Sequence, residues 1–160
     1  ARSTQFNQRT EFMIVIAHDI RSLHNVGAIF RSAEAFNISK LYLTGYTATP
    51  PRKEIAKAGL GSENRVCWEH QDDVLNTVSI LKASGVFVLA LEIAEDARDI
   101  RDLKKSVHQE IAILVGNEVE GIPPDVICAC SGVGRIIMQG AKRSLNVSVA
   151  ASIAMFVFAE

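Results

Sequence analysis

Four short apolar runs constrain the fold of this chain more than any other feature of its sequence. They are FMIVIAHD at 12–19, KLYLTGY at 40–46, VFVLALE at 86–92 and EIAILVG at 110–116. Runs of this length, rich in β-branched residues, predict buried strands. Longer stretches with helical spacing of apolar residues lie between them, at 21–37, 52–61 and 72–85. The alternation predicts an α/β domain with a parallel sheet that has helices on both faces.

The rest of the chain continues this pattern. A charged segment at 96–106 precedes the strand at 110–116, a proline-containing loop follows that strand, and a short strand at 134–138 leads into a closing helix. Ligands of parallel sheets bind outside the carboxyl ends of the strands. The loops after Asp19, Leu91, Gly116 and Met138 lie at such ends, so they form the candidate site.

Composition limits the number of domains and the class of partner. A chain of 160 residues that is 48% hydrophobic predicts one compact domain, to which we assign residues 13–160, with residues 1–12 as a polar arm or linker. The formal net charge of −1 gives no overall basic surface, so contact with a nucleic acid would need a local patch or a partner subunit.

The cysteines and the polar N-terminal residues indicate the compartment. Cys67, Cys128 and Cys130 lack the spacing of a zinc site, so we predict reduced thiols and no metal. The first residues lack the apolar centre of a secretory signal. Together these features predict a cytoplasmic protein.

The closing stretch GAKRSLNVSVAASIAMFVFAE carries no charge between Ser144 and Ala159. It is shorter than the roughly 18 to 20 apolar residues that span a bilayer, and its polar residues are collected at its beginning. We therefore predict no membrane anchor. Ser144 is expected to cap the closing helix, which places Asn146 in a first turn whose amides favour anions.

Two further stretches have ordinary readings when each is taken alone. In HNVGAIFRSAEAF, Asn25 fits an N-cap, Arg31 fits a surface cation, and Gly27 would permit a close backbone approach. In LVGNEVEGIPP, the Gly-Asn pair is typical of a turn, although a turn does not account for Glu118 and Glu120 beside a buried strand. The P-loop, dinucleotide-binding and Gly-x-Ser-x-Gly motifs are missing from the sequence.

Taken in order, three stretches resemble the sequence motifs of the SpoU/TrmH family, which belongs to the SPOUT superfamily of S-adenosylmethionine-dependent RNA methyltransferases. NVGAIFRSAEAF is similar to motif 1, ILVGNEVEGI to motif 2 and IIMQGAKRSLNVSVAASIAMF to motif 3. The resemblance covers residues 13–160. Ile137 stands where the family usually has proline and Asn37 where it usually has glycine, but asparagine tolerates the left-handed conformation.

The resemblance implies an α/β-knot, in which the C-terminal segment threads a loop into a deep trefoil, and a homodimer with its sites near the subunit boundary. It also implies methyl transfer from S-adenosylmethionine to a ribose 2′-hydroxyl of tRNA or rRNA. The catalytic residues carried over by motif position are Asn25, Arg31, Glu118, Ser144 and Asn146. Because a free guanidinium stays protonated, we expect Arg31 to orient the ribose and stabilise negative charge. The proton would leave to a phosphate oxygen, to water or to Glu118.

The same resemblance implies which residues bind cofactor and RNA. Backbone groups are expected to hold S-adenosylmethionine at Leu91, Gly116, Ile136, Ser144 and Leu145, and a side chain at position 116 would block the approach to the ligand. RNA contacts are expected from the cations near motifs 1 and 3, namely Arg21, Arg52, Lys53, Lys57, Arg65, Lys142 and Arg143.

Two alternatives stay open at this point. A SPOUT-type base methyltransferase would keep the knot and the cofactor but modify a nucleobase, although the NxGAxxR and SLNVS runs favour ribose. A cofactor-binding or RNA-binding module without turnover would also fit the fold. The joint presence of all five polar residues of the catalytic set argues against such a module.

Overall fold

The computed structural model describes residues 12–159, which form one parallel sheet with helices on both faces. The strands are β1 (Met13–His18), β2 (Lys40–Thr44), β3 (Trp68–Gln71), β4 (Phe87–Leu91), β5 (Arg98–Asp99), β6 (Ile111–Val115) and β7 (Gly132–Arg135). Their order in the sheet is β3-β2-β1-β6-β4-β7-β5, and every pairing is parallel. The predicted fold class is thus confirmed, while the threading of the C-terminal knot stays a prediction.

Six α-helices lie in the described part of the chain. They are α1 (Leu23–Ala35), α2 (Lys53–Gly59), α3 (Val74–Ala83), α4 (Ile100–Ser106), α5 (Pro124–Ala129) and α6 (Val147–Phe158), with a 3₁₀ turn at Ser62–Asn64. None of the helices within residues 12–159 is both long enough and apolar enough to span a membrane. The polar arm predicted for residues 1–12 lies, apart from Phe12, outside the described residues.

The central strand β1 is buried along its whole length. Val15 packs on one face of the sheet in a core that includes Phe30 of α1 and Met155 of α6. On the other face, Ile16 packs in a second core with Val78 of α3. Each fully buried side chain of this size stabilises the fold by roughly 1.5–3 kcal/mol. Burial on both faces explains why the strand is a continuous apolar run without alternation.

The register of the sheet brings several loops to one edge. His18 at the end of β1 pairs with Thr44 at the end of β2, and Ala17 of β1 pairs with Val115 at the end of β6. Because the strands are parallel, the chain leaves all three at the same edge of the sheet. The loop after β1 and the loop after β6 are therefore neighbours, as the sequence predicts.

Both predicted helix caps differ from the structure. The N-cap of α1 is Ser22, whose side chain accepts a hydrogen bond from the backbone amide of Asn25 at 3.2 Å. The N-cap of α6 is Asn146 and not Ser144. Serine and asparagine are both good capping residues, so the sequence alone could not choose between neighbouring candidates. As a result, the side chain of Asn25 is free for contacts outside α1.

The pattern of apolar residues does not predict several elements of the structure, or predicts them with other bounds. The edge strand β3 has the sequence WEHQ and carries partly exposed polar side chains. The charged segment at 96–106 contains β5 and α4, and α5 begins at Pro124 inside the predicted loop. The strand expected at 134–138 is found at Gly132–Arg135, two residues earlier at its start. These elements are short or lie at a sheet edge, where burial leaves a weak signal in the sequence.

Two local predictions are confirmed. A β-carbon at Gly27 would lie 2.5 Å from the carbonyl oxygen of Ile55 and 2.7 Å from the β-carbon of Ala58, so Gly27 allows α1 and α2 to pack closely. Asn37 has a positive φ of 52°, in the left-handed region that asparagine tolerates better than most residues.

Candidate active site at the carboxyl edge of the sheet

A cavity of about 570 Å³ opens at the carboxyl edge of the sheet. Its walls come from the loops after β4, β6 and β7 and from the beginning of α6. All five residues predicted to hold a cofactor line this cavity: Leu91, Gly116, Ile136, Ser144 and Leu145. Its volume falls within the roughly 300–1,000 Å³ of small-molecule sites.

Glu118 fastens the loop after β6 to the beginning of α1. Its carboxylate accepts hydrogen bonds from the backbone amide of Arg21 at 2.9 Å, from that of Ser22 at 3.1 Å, and from the side-chain amide of Asn25 at 3.0 Å. Burial raises the pKa of Glu118, but these donors outweigh burial and hold the pKa below its ordinary value. Glu118 is therefore an ionised anchor between two loops.

Asn25 extends this connection to α6. Its side-chain oxygen accepts a hydrogen bond from the side-chain nitrogen of Asn146 at 3.1 Å, while its own nitrogen donates to Glu118. The other side-chain atom of Asn146 caps α6 by accepting from the amide of Ser148 at 2.9 Å. The structure thus joins one residue from each of the three sequence motifs in a single chain of hydrogen bonds beside the cavity.

Arg31 lies apart from this group. It is exposed on α1 and lines a second cavity of about 470 Å³ between α1, α2 and α6, together with His24, Lys57 and Ser148. Ser144 does line the first cavity. Of the five residues expected to act together, the structure joins Asn25, Glu118 and Asn146 by hydrogen bonds, adds Ser144 at the cavity wall, and leaves Arg31 in the neighbouring groove.

The cations expected to bind RNA have different surroundings. The guanidinium of Arg65 is paired with Glu34 and lowers the pKa of that carboxyl to about 2. The Nε atom of Arg52 lies 4.0 Å from the Oε2 atom of Glu54. Lys57 lines the same groove as Arg31. The other side chains of the set are exposed, at Arg21, Lys53, Lys142 and Arg143.

Asn117 is a site residue that the sequence alone does not single out. Its side-chain nitrogen donates to the backbone oxygen of Asp19 at 3.0 Å and to the hydroxyl of Tyr46 at 2.6 Å. Its side-chain oxygen accepts from the amides of Val119 at 2.9 Å and Glu120 at 2.8 Å. Asn117 therefore shapes the loop that carries Glu118, and its only signal in the sequence is a Gly-Asn pair that any turn could contain.

Glu92 is a second residue that the sequence analysis missed. It lines the cavity, and its carboxylate accepts hydrogen bonds from the amide of Ile122 at 3.0 Å and from its own neighbour Ile93 at 2.9 Å. These bonds connect the loop after β4 to the loop after β6. An acid placed directly after an apolar strand was the signal that could have revealed it.

Gly116 is constrained by its own loop. A β-carbon there would lie 2.7 Å from the Cγ1 atom of Ile122 and 2.8 Å from the carbonyl group of Gly121. From the sequence, a side chain at this position is expected to block the approach of a ligand. The structure gives a different reason, because a side chain would first collide with the returning part of the loop.

No group of three histidine, cysteine, aspartate or glutamate side chains within residues 12–159 is arranged to hold a metal ion.

Residues 12–156 match the model of the SpoU rRNA Methylase family. The chain belongs to this family. The resemblance carried by the three motifs is thereby confirmed, and the site described above lies where those motifs meet.

Proteins named as RNA methyltransferases are similar in sequence to this SpoU-family chain. It is 31% identical over 143 residues to a Staphylococcus haemolyticus protein named as a candidate TrmH-family tRNA/rRNA methyltransferase, covering 89% of this chain and 56% of that protein. It is 29% identical over 149 residues to the tRNA (guanosine(18)-2′-O)-methyltransferase of Thermus thermophilus, covering 93% of this chain and 75% of the relative.

Solved structures of RNA-modifying enzymes share the fold of this chain. The AdoMet-bound rRNA methyltransferase from Sinorhizobium meliloti superposes with a TM-score of 0.83 at 27% identity, covering 92% of this chain and 55% of that one. The A. aeolicus TrmH/SpoU tRNA modifying enzyme also gives a TM-score of 0.83, at 26% identity, covering 94% of this chain and 75% of that one. The chain spans little more than half the length of several of these relatives.

Proposed function

We propose that this domain transfers a methyl group from S-adenosylmethionine to a ribose 2′-hydroxyl of tRNA or rRNA. The observation that carries the proposal is the hydrogen-bonded group of Glu118, Asn25 and Asn146 beside the cavity. Membership of the SpoU rRNA methylase family supports it. So do the names of the relatives, which include a tRNA 2′-O-methyltransferase and an AdoMet-bound rRNA methyltransferase.

The cavity fits S-adenosylmethionine in size and in its chemical groups. Apolar side chains such as Leu91 and Ile136 and the polar side chains of Glu92 and Arg135 line it together. The Nε atom of Arg135 is buried and has no hydrogen-bond acceptor within the described residues, which leaves a donor available beside a polar ligand. Backbone groups at Leu91, Gly116, Ile136 and Leu145 would hold the cofactor. When bound, it would supply an electrophilic methyl group on a sulfonium.

The residues of this chain would act mainly by positioning. An in-line displacement requires an aligned hydroxyl and stabilisation of the developing alkoxide. Arg31 would orient the ribose and stabilise that charge. Asn25, Glu118, Ser144 and Asn146 would keep the beginning of α1, the cavity loop and the beginning of α6 in register, as a preorganised site requires.

Glu118 is poorly suited to accept the proton. Its two oxygens already receive hydrogen bonds from Arg21, Ser22 and Asn25, and these bonds hold its pKa below the ordinary value. A general base works best with a pKa near the operating pH. Of the three acceptors that the sequence analysis left open, a phosphate oxygen or water is therefore favoured.

Substitution of Gly116 tests the cavity loop. Gly116→Ala is expected to raise the Kd for S-adenosylmethionine at least tenfold and to lower the free energy of unfolding by roughly 1–3 kcal/mol, because the new methyl group overpacks the loop. Calorimetry and urea unfolding measure the two effects. Gly140→Ala is the matched control, since a β-carbon there meets nothing within 4 Å. Equal behaviour of both variants would contradict a tight loop.

A homodimer would bury the exposed surface around Arg31. The groove that contains Arg31 has exposed apolar side chains at Leu60 and Val149. Phe156 of α6 is 64% exposed and contacts Phe36 of α1. A second copy packed on α1 and α6 would bury this surface and place the partner's atoms beside Arg31. We infer that two copies of the chain complete the site together.

A charged residue on α6 tests this arrangement. Phe156→Asp is expected to weaken self-association at least 100-fold, because it places a carboxylate in an apolar contact. Analytical ultracentrifugation at micromolar concentration should then show a monomer in place of a dimer. Ile80→Asp, which changes an exposed apolar residue of α3 on the opposite face of the sheet, should leave the dimer intact. If the wild type is a monomer at this concentration, the inference that two copies complete the site is wrong.

The cations near motifs 1 and 3 would contact the RNA, with Lys57, Lys142 and Arg143 better placed than Arg65, whose guanidinium is already paired with Glu34. Because tRNA and rRNA are the proposed substrates, we also infer that the protein is cytoplasmic. Residues 13–160 would form the methyltransferase domain.

Transfer of tritium from methyl-labelled S-adenosylmethionine tests the proposed function. The acceptors are tRNA and rRNA pools from a strain that lacks the gene, and the donor enzyme is the purified chain. The expected result is label in one of the two pools, with none in the same pool from the parent strain, where the site is already modified. If neither pool accepts label, the domain is a binding module and the proposed activity is wrong.

A further inference from the structure

Tyr46 is an exposed aromatic residue at the same edge of the sheet as the candidate site. Among the phenylalanine, tyrosine and tryptophan side chains of residues 12–159, three are exposed: Phe12, Tyr46 and Phe156. Phe12 precedes β1 and lies at the amino edge of the sheet, and Phe156 belongs to the surface assigned above to the dimer. Tyr46 follows β2, is 60% exposed, and has no part in the function proposed so far.

The structure holds Tyr46 at both ends. Its backbone amide donates to the carboxylate of Asp19 at 3.0 Å, and its hydroxyl accepts from the side-chain nitrogen of Asn117 at 2.6 Å. An exposed tyrosine without such bonds would sample several rotamers. Here the aromatic ring is kept in place while most of its surface stays in contact with solvent.

The position of this ring relates it to the acceptor RNA. Asn117 directly precedes Glu118, and the same loop continues to Val119, which is 73% exposed. The amide of Arg21 donates to Glu118, and the side chain of Arg21 is exposed. The ring therefore lies one hydrogen bond away from the loop of the active site, and the same loop holds the backbone of Arg21, whose exposed cation could contact phosphate.

We propose that the ring of Tyr46 is a stacking platform for a nucleobase of the RNA substrate, close to the methylated nucleotide. The inference rests on the proposed function, because it takes the acceptor to be RNA. Every nucleobase has a π-face, and stacking on an aromatic side chain contributes about 1–3 kcal/mol per base. The hydroxyl holds the ring through Asn117, and the ring binds the base.

Substitutions at Tyr46 separate the ring from the hydroxyl. Tyr46→Leu removes the ring, whereas Tyr46→Phe and Tyr46→Trp keep a ring and lose the hydroxyl bond to Asn117. The probes are fluorescein-labelled, unmodified transcripts of tRNA and of rRNA, and the Kd for each is measured by fluorescence anisotropy. Calorimetry measures the Kd for S-adenosylmethionine separately, and this Kd shows whether a substitution disturbs the cavity loop. Phe12→Leu is the control, an exposed aromatic residue at the opposite edge of the sheet.

Tyr46→Leu is expected to raise the Kd for RNA about tenfold, within the range for loss of one stacked base, while the Phe and Trp variants stay within about twofold of the wild type. Phe12→Leu should bind RNA as the wild type does. In addition, 2-aminopurine placed beside the modified nucleotide should be quenched on binding the wild type and the Phe variant, and much less on binding the Leu variant.

Two results with the Tyr46 variants would overturn the proposal. If Tyr46→Leu binds RNA like the wild type, no base stacks on the ring. If the Leu and Phe variants weaken RNA binding equally, the hydroxyl acts through Asn117 and the ring has no role of its own. Failure of the proposed function is a different outcome: the wild-type chain would then bind RNA without transferring a methyl group, whatever residue occupies position 46. A wild-type chain that binds no RNA would end both proposals.

Discussion

Replacing Arg31 by alanine is expected to lower methyl transfer to RNA at least 100-fold while leaving the Kd for S-adenosylmethionine within about twofold, since loss of one charge-stabilising donor in a preorganised site costs roughly 10²–10³ in rate. The physical reason is placement. Arg31 lines the groove between α1, α2 and α6 and not the cavity that would hold the cofactor. Single-turnover transfer measures the first quantity and calorimetry the second.

Arg98→Ala is the matched control for this experiment. Arg98 is an exposed arginine on β5, at the far edge of the sheet from β1, and its loss should change neither quantity. Loss of cofactor binding in Arg31→Ala would show that Arg31 maintains the structure and does not contact the acceptor. Transfer at the wild-type rate would remove Arg31 from the mechanism.

Replacing Glu118 by alanine is expected to have the second-largest effect among these variants. It should change the stability of the fold and the binding of S-adenosylmethionine as well as methyl transfer. It leaves the amides of Arg21 and Ser22 and the side chain of Asn25 without their acceptor. At about 0.5–1.5 kcal/mol net for each hydrogen bond, the free energy of unfolding should fall by roughly 2 kcal/mol. Because Asn25 also holds Asn146, transfer should fall at least tenfold and the Kd for S-adenosylmethionine should rise.

The Glu118→Gln variant gives this prediction a pH dependence. Hydrogen-bond donors hold the pKa of Glu118 in the folded protein below its ordinary value. A group of this kind contributes stability above its unfolded pKa, and the contribution is lost as the pH falls through the lowered, folded pKa. The wild type should therefore be more stable than Glu118→Gln at pH 7, and the difference should shrink below about pH 4.

Urea unfolding between pH 3 and pH 7 measures this difference. Glu120→Gln changes another exposed carboxylate two positions away in the same loop, and at pH 7 its stability should equal that of the wild type. A constant difference between the wild type and Glu118→Gln over the whole range would mean that Glu118 is not held as an anion.

The strands that the sequence predicts are those that the fold buries on both faces. β1 and β6 are buried at every position, so β-branched and apolar residues fill them without interruption. β3 and β5 lie at the two edges of the sheet, and the two residues of β5 are both charged. Their strand conformation comes from pairing with a neighbour, which sequence periodicity does not record.

The site could be predicted only where residues carry a family motif. Glu118 lies 93 positions after Asn25 in the chain, and Asn146 lies 121 positions after it. The periodicity of the sequence gives no reason for these three residues to meet. Asn117 and Glu92 were missed because they act on backbone amides, and such amides are present at every residue. Arg31 lies in a groove between α1, α2 and α6, and the sequence does not show how these helices pack.

The position of the transferred methyl group tests the central claim most directly. RNA labelled by the purified chain and tritiated S-adenosylmethionine is hydrolysed in alkali, which cleaves after every ribose with a free 2′-hydroxyl. If the account is right, the label is found in alkali-resistant dinucleotides and, after complete digestion, in a nucleoside methylated on its ribose. Label in mononucleotides whose base carries the methyl group would contradict ribose 2′-O-methylation, even if the enzyme, cofactor and RNA are the expected ones.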